Sequence, residues 1–164
     1  MRRVPSEPGL RIALAIVALA GLGVSGYLTI VRFSGDVPAC VVGGGCGTVQ
    51  KSEYSELAGI PVAVLGIAAY AGLLLAAILP GQLGRALGLF TALVGVGFSA
   101  WLTYAELFII EAICAWCVTS AVLITLALVL ATMRVLGPGA RPHEGPHRLQ
   151  RDPLPPEPAP PART

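Results

Sequence analysis

Four long apolar stretches, each closed off by charge, set the pattern of this chain. Residues 12–31 lie between Arg11 and Arg32, and residues 57–79 follow Glu56. Residues 86–105 lie between Arg85 and Glu106, and residues 112–133 between Glu111 and Arg134. Each has roughly the 20 residues that a helix needs to cross a hydrocarbon core of about 30 Å. No alternation of apolar and polar positions is sustained over several segments, so helices, not strands, are the predicted spanning structure. The first stretch is longer than the usual ~7–15-residue core of a secretory signal, and no clear small-residue cleavage site precedes Arg32. It reads as a retained helix. Composition agrees: 55% of residues are hydrophobic and 12% charged, against roughly 25% charged in soluble domains.

The basic residues orient the spans. Arg2, Arg3 and Arg11 precede the first. Arg85 sits in the short connection Pro80–Arg85 between the second and third. Arg134, Arg141, Arg148, Arg151 and Arg163 follow the fourth. Nine of the eleven basic residues thus fall on one side, and positive charge marks the cytoplasmic side. Both termini are expected there. Arg32 and Lys51 lie on the other face with Asp36, Glu53, Glu56 and Glu111. The small net charge of +2 says little about partners, and nothing in it points to nucleic acid.

The connecting segments refine this into an all-α integral membrane protein, a bundle of four transmembrane helices. The expected organisation is a cytoplasmic segment 1–11 and a membrane domain 12–135, with spans of about 12–31, 57–79, 86–107 and 112–134. A long extracytoplasmic loop covers 32–56. Within it, the stretch 48–57 has apolar or amphipathic residues at Val49, Tyr54 and Leu57 and predicts a short helix lying at the membrane surface. Gly59-Ile60-Pro61 then opens the second span, where proline suits a first helical turn. Gly21, Gly23 and Gly26, the pair Gly84 and Gly88, and Gly95, Gly97 and Ser99 predict close helix packing. Trp101 and Tyr104 read as interfacial belt residues. From about residue 136 the chain turns polar, and residues 137–164 hold nine of its 14 prolines. A disordered tail is expected there. His143 and His147 lie within it and read as solvated residues, so no metal site is assigned.

Candidate chemistry comes from four cysteines, all at the extracytoplasmic ends of spans. Disulfides form and persist in that compartment. Cys114-Ala-Trp-Cys117 stands at a helix start, where backbone amides stabilise a thiolate and lower its pKa below about 8.5. Cys40 and Cys46 enclose Gly43, Gly44 and Gly45, whose permissive backbone lets a small ring close and move. A shuttle pair benefits from that mobility, because exchange brings sulfurs together through a mixed disulfide. Two inert structural disulfides, a four-cysteine zinc site and unpaired buried thiols are the competing readings. The balance favours a redox relay.

On these residues the chain resembles the integral-membrane vitamin K epoxide reductase family, and within it the prokaryotic disulfide-generating homologues. The features that carry the resemblance are Cys40 and Cys46 in the first long loop, then Ser52, Gly59-Ile60-Pro61, and Cys114-Ala-Trp-Cys117 on the last helix. It covers about residues 10–135. DsbB proteins, similar in role, place the quinone-side CxxC in the first loop, the reverse of the order here. The resemblance implies a four-helix bundle around a quinone site: ubiquinone, menaquinone or a vitamin K-type quinone. It implies that Cys40 meets a thioredoxin-like, DsbA-like protein, that Cys46 relays electrons to Cys114, and that Cys117 faces the quinone. Ser52 would support the loop, or else cap a helix. By gap-free counting, Val62 and Ala121 stand where vertebrate members carry an asparagine and a tyrosine associated with vitamin K. The expected function is therefore a quinone-dependent thiol oxidoreductase of the plasma or inner membrane that reoxidises a separate extracytoplasmic DsbA-like protein. Vitamin K epoxide or quinone reduction is the alternative. A non-catalytic helical membrane protein with structural disulfides is the rival from another class.

Overall fold

The computed structural model describes residues 7–40 and 44–137. The helices are α1 (Glu7–Ser34), α2 (Cys46–Lys51), α3 (Val62–Ile78), α4 (Gly81–Phe108) and α5 (Ala115–Leu136). A 3-10 turn (Glu53–Ser55) and two-residue strands β1 (Glu56–Leu57) and β2 (Ile60–Pro61) separate α2 from α3. The expected segment 1–11 is described only from Glu7. The expected tail, with its prolines and histidines, lies outside the described residues beyond Gly137.

Three helices, α1, α4 and α5, are long and apolar enough to cross a membrane, and α3 is a shorter apolar helix. The four pack in a ring in which α1 and α4 each touch both α3 and α5. Leu14, Ala18, Tyr70, Leu73, Ala92, Ile124 and Ala127 fill the shared core. Outward positions such as Ile16, Phe90, Leu93, Val122 and Leu126 are apolar yet exposed. That polarity pattern suits a bundle solvated by lipid rather than water. The all-α membrane bundle read from the sequence is therefore the fold.

Several boundaries differ from those expected. The second span does not begin at residue 57. Glu56 and Leu57 instead pair antiparallel with Pro61 and Ile60. Ala58 and Gly59 form the two-residue turn between them, both with positive φ (52° and 79°). A turn of this kind suits a tight hairpin and ends the helical pattern. The surface helix lies at Cys46–Lys51 rather than 48–57, with Tyr54 in the 3-10 turn. Arg85 is not in a loop. Pro80 caps α4 and the helix starts at Gly81, so Arg85 sits buried in its second turn.

Small residues sort into two groups. A Cβ on Gly21 would lie 2.2 Å from the Tyr70 ring, and one on Gly95 would lie 2.7 Å from the Ile124 side chain. Gly23, Gly26 and Gly97 face open space and contribute nothing to the packing expected of them. Trp101 and Tyr104 are about half exposed and stack on each other, as belt residues would.

Candidate functional site

The structure brings all four cysteines to one end of the bundle. Cys40 and Cys46 form a disulfide, while Cys114 and Cys117 are free thiols. Cys46, Val49 and Cys114 form one buried cluster, with Cys40, Trp116 and Cys117 packed against it. Cys46 and Cys114 are fully buried, so the two pairs meet inside the protein.

Local structure explains how the loop is held. Trp116 Nε1 donates to the Ala39 carbonyl at 2.9 Å, and the Ala39 amide donates to Tyr27 Oη at 3.1 Å. The Tyr27 and Trp116 rings lie 4.8 Å apart. Both backbone groups of the residue before Cys40 are therefore clamped between α1 and α5. Gly45 presses directly on the segment leading to Cys114: a Cβ there would lie 2.8 Å from the Ile113 carbonyl oxygen and 2.9 Å from its nitrogen. The sequence pattern assigns Gly45 to loop mobility. Its observed task is close approach, which lets the outer disulfide dock on the inner pair. Gly43 lies outside the described residues.

Ser52 makes no described hydrogen bond to a cysteine but holds the Val49 member of their cluster. Its Oγ donates to the Val49 carbonyl at 2.7 Å, and its carbonyl accepts from Ser55 Oγ at 2.8 Å. It ends α2 and opens the 3-10 turn without a side-chain N-cap bond. This holds the polypeptide around the buried Val49.

Cys114 is the N-cap of α5, just outside the helix. Its thiol is lowered from the ordinary value, first by the neighbouring Cys117 thiol and further by the amides of Cys117 and Trp116. Burial and the Glu106 charge oppose the shift. The sequence-based expectation of a stabilised thiolate at the helix start thus falls on Cys114.

Glu106 is the feature that sequence reasoning missed, because it looked like a charged span boundary. Its side chain is 5% exposed, and Oε2 accepts the Cys114 amide at 3.1 Å. Glu106 and Cys117 also line the same cavity. The segment after α4 folds back to hold this geometry: the amides of Ile110 and Ala112 donate to the carbonyls of Ala105 and Glu106.

Beside Cys117 a cavity of about 130 Å³ opens among the four main helices. Leu28, Val62, Ala69, Leu102 and Ile124 supply apolar wall, while Ser25, Tyr70, Ser120 and Glu106 supply polar groups. Tyr70 Oη donates to the Ser120 carbonyl at 2.9 Å. An apolar cavity with few polar groups and a sulfur at its edge fits a quinone head group. Cys40, Cys46 and Cys114 do not line it. Of the two positions that differ from vertebrate proteins, Val62 lines the cavity, whereas Ala121 does not and its neighbour Ser120 does.

The match to known proteins agrees with this arrangement. The model of the vitamin K epoxide reductase family matches residues 12–132, which takes in α3 and α4, most of α1 and α5, and every cysteine. The chain belongs to the vitamin K epoxide reductase family, whose members are oxidoreductases that link thiols to quinone-type carriers.

Proposed function

We propose that this protein is a disulfide-generating member of its family, passing electrons from a thioredoxin-like, DsbA-like dithiol through Cys40–Cys46 and Cys114–Cys117 to a membrane quinone. One observation carries the reading: the outer disulfide is docked on Cys114 while Cys117 faces the cavity. The basic-residue bias supports a cysteine face outside the cytoplasm.

The residues act in sequence. A partner thiolate attacks Cys40, and its second thiol completes the exchange, leaving Cys40 and Cys46 reduced. Cys46 then attacks Cys114 of the closed inner disulfide, and Cys117 leaves as a thiolate that takes up a proton from water to become a thiol. Cys40 attacks Cys46, restores the outer disulfide and expels Cys114. A low-pKa thiol leaves faster in exchange, so the lowered pKa of Cys114 favours that expulsion. An outer pair closed and an inner pair reduced, as in the structure, is the state this relay would leave. Cys117, with Val62, Tyr70, Ser120 and Glu106 around the cavity, would hold the quinone head. The quinone supplies a two-electron, two-proton acceptor. Closing Cys114–Cys117 resets the protein.

An anaerobic assay tests the reading, with a reduced DsbA-like protein as donor and ubiquinone or menaquinone as acceptor. Quinol should form with wild type and fall to background in Cys114→Ser and Cys117→Ser. Undiminished quinol formation by either variant would refute the relay. Turnover of vitamin K epoxide in place of quinone would favour the alternative activity.

A further inference from the structure

The geometry points to Glu106 as the proton carrier of the inner pair: it takes the Cys117 thiol proton and hands it to an oxygen of the quinone in the adjoining cavity. This rests on the quinone-linked reading above. Glu106 is the one charged side chain among the described residues that line the cavity. A carboxylate buried among apolar helices is costly unless it has partners and a task. One oxygen accepts the Cys114 amide, and the side chain lines the cavity that Cys117 also lines, so it stands between the reacting thiols and the cavity. Other titratable groups are placed less well. Tyr70 of α3 is committed to Ser120. Tyr54 of the 3-10 turn lines the wall, and α1 contributes only Val24, Ser25 and Leu28.

The balance is simple. Closing the Cys114–Cys117 bond removes two electrons from the two sulfurs and gives them to the quinone. The thiol proton of Cys117 goes to the Glu106 carboxylate and then to one quinone oxygen. Cys114 reacts as a thiolate, so the proton for the second oxygen comes from water. Glu106 ends ionised, ready for the next cycle. A carboxylate in this role contributes to rate through general acid–base transfer, typically ~10²–10⁴-fold.

The test compares full-length wild type with Glu106→Gln and Glu106→Asp in lipid nanodiscs. The reduced inner pair is mixed with ubiquinone or menaquinone in a single turnover. Glu106→Gln should slow quinol formation by about 100-fold at pH 7. Its rate should climb with pH, because solvent must now take the Cys117 proton, and Glu106→Asp should recover part of the loss. Without quinone, the infrared S–H stretch of Cys117 should shift in Glu106→Gln as its carboxylate acceptor disappears. Trapping of the Cys46–Cys114 mixed disulfide in a Cys117→Ser background should stay intact with Glu106→Gln added.

A wild-type rate and pH profile in Glu106→Gln would overturn the proposal. So would a parallel loss of mixed-disulfide trapping, which would make Glu106 only a positioning group for Cys114. An unshifted S–H band would overturn it as well. Failure of wild type to reduce any quinone is a separate result that sinks the underlying reading with it.

Discussion

The two ends of the bundle use buried charge in opposite ways. At the end away from the cysteines, Arg11, Arg85 and Arg134 gather with Glu7. Arg11 Nε donates to the Ala77 carbonyl at 2.8 Å, and Arg134 Nη1 donates to the Ala76 carbonyl at 3.1 Å. Arg85 pairs with Glu7 at 3.2 Å. Arg11 and Arg134 close the C-terminal turn of the short α3, where exposed carbonyls and the helix dipole favour positive charge. At the cysteine end, Glu106 is equally enclosed but faces reactive sulfurs and a cavity. One end spends its charge on scaffold; the other leaves it beside chemistry.

Breaking each end should therefore produce a different defect. Cys114→Ser or Cys117→Ser should abolish quinol formation while leaving thermal unfolding in detergent close to wild type. Glu7→Gln should do the converse. It removes the carboxylate that faces Arg85 and Arg134. Loss of one partner of a buried pair costs about 3–5 kcal/mol, but Glu7 is partly exposed, so roughly 1–3 kcal/mol is expected. Turnover per folded molecule should not change. If the Glu7 variant lost turnover without losing stability, the division between the two ends would be wrong.

Gly45→Ala should give the next largest effect, within the cysteine end itself. The new methyl must displace the Ile113 backbone or the loop by several tenths of an ångström. Misplacement by about 1 Å can cost ~100-fold in rate, so a loss of roughly tenfold in transfer from the outer to the inner pair is expected. Rapid-quench thiol trapping would measure that step. Quinol formation from a pre-reduced inner pair should hold steady. Equal losses in both steps would mean that Gly45 shapes the cavity rather than the docking. Trp116→Phe should act more mildly on the same step. It keeps a ring against Tyr27 but loses the hydrogen bond to Ala39, worth about 1 kcal/mol, or roughly fivefold.

The sequence made some of this legible and hid the rest for physical reasons. Long apolar runs report spanning helices directly, because lipid leaves the backbone few alternatives. The cysteine spacing pointed to two pairs, and the structure brings them into one cluster. The start of α3 was hidden because Leu57, Ile60 and Pro61 are apolar whether they lie in a hairpin or a helix. Arg85 and Glu106 were read as charged borders. A charge near the end of an apolar run looks the same whether it faces water or is folded inward by the next turn. Gly45 was ambiguous in the same way, since mobility and close contact both call for a missing side chain. Only the Ile113 backbone beside it decides between them.

The smallest expected effect separates the two inner cysteines. The thiol of Cys114 is lowered below the ordinary thiol value, chiefly by the adjacent Cys117 thiol. With the outer pair kept oxidised, ultraviolet thiolate absorbance should therefore rise with a midpoint below the ordinary thiol value of about 8.5. Below that pH the inner pair is a dithiol and above it Cys114 is ionised. Cys117→Ser keeps a hydroxyl donor and should hold the midpoint close to wild type. Cys117→Ala removes that thiol, leaving only the amides of residues 116 and 117 to favour ionisation against burial and the Glu106 charge. Its midpoint should rise toward the ordinary thiol value of about 8.5. The same change makes Cys114 a poorer leaving group, so the Cys46–Cys114 mixed disulfide should persist longer in the alanine variant than in the serine variant. Equal midpoints in the two variants would show that the α5 amides alone stabilise the thiolate. The cysteine end would then owe its reactivity to the helix start and not to the pairing of its two sulfurs.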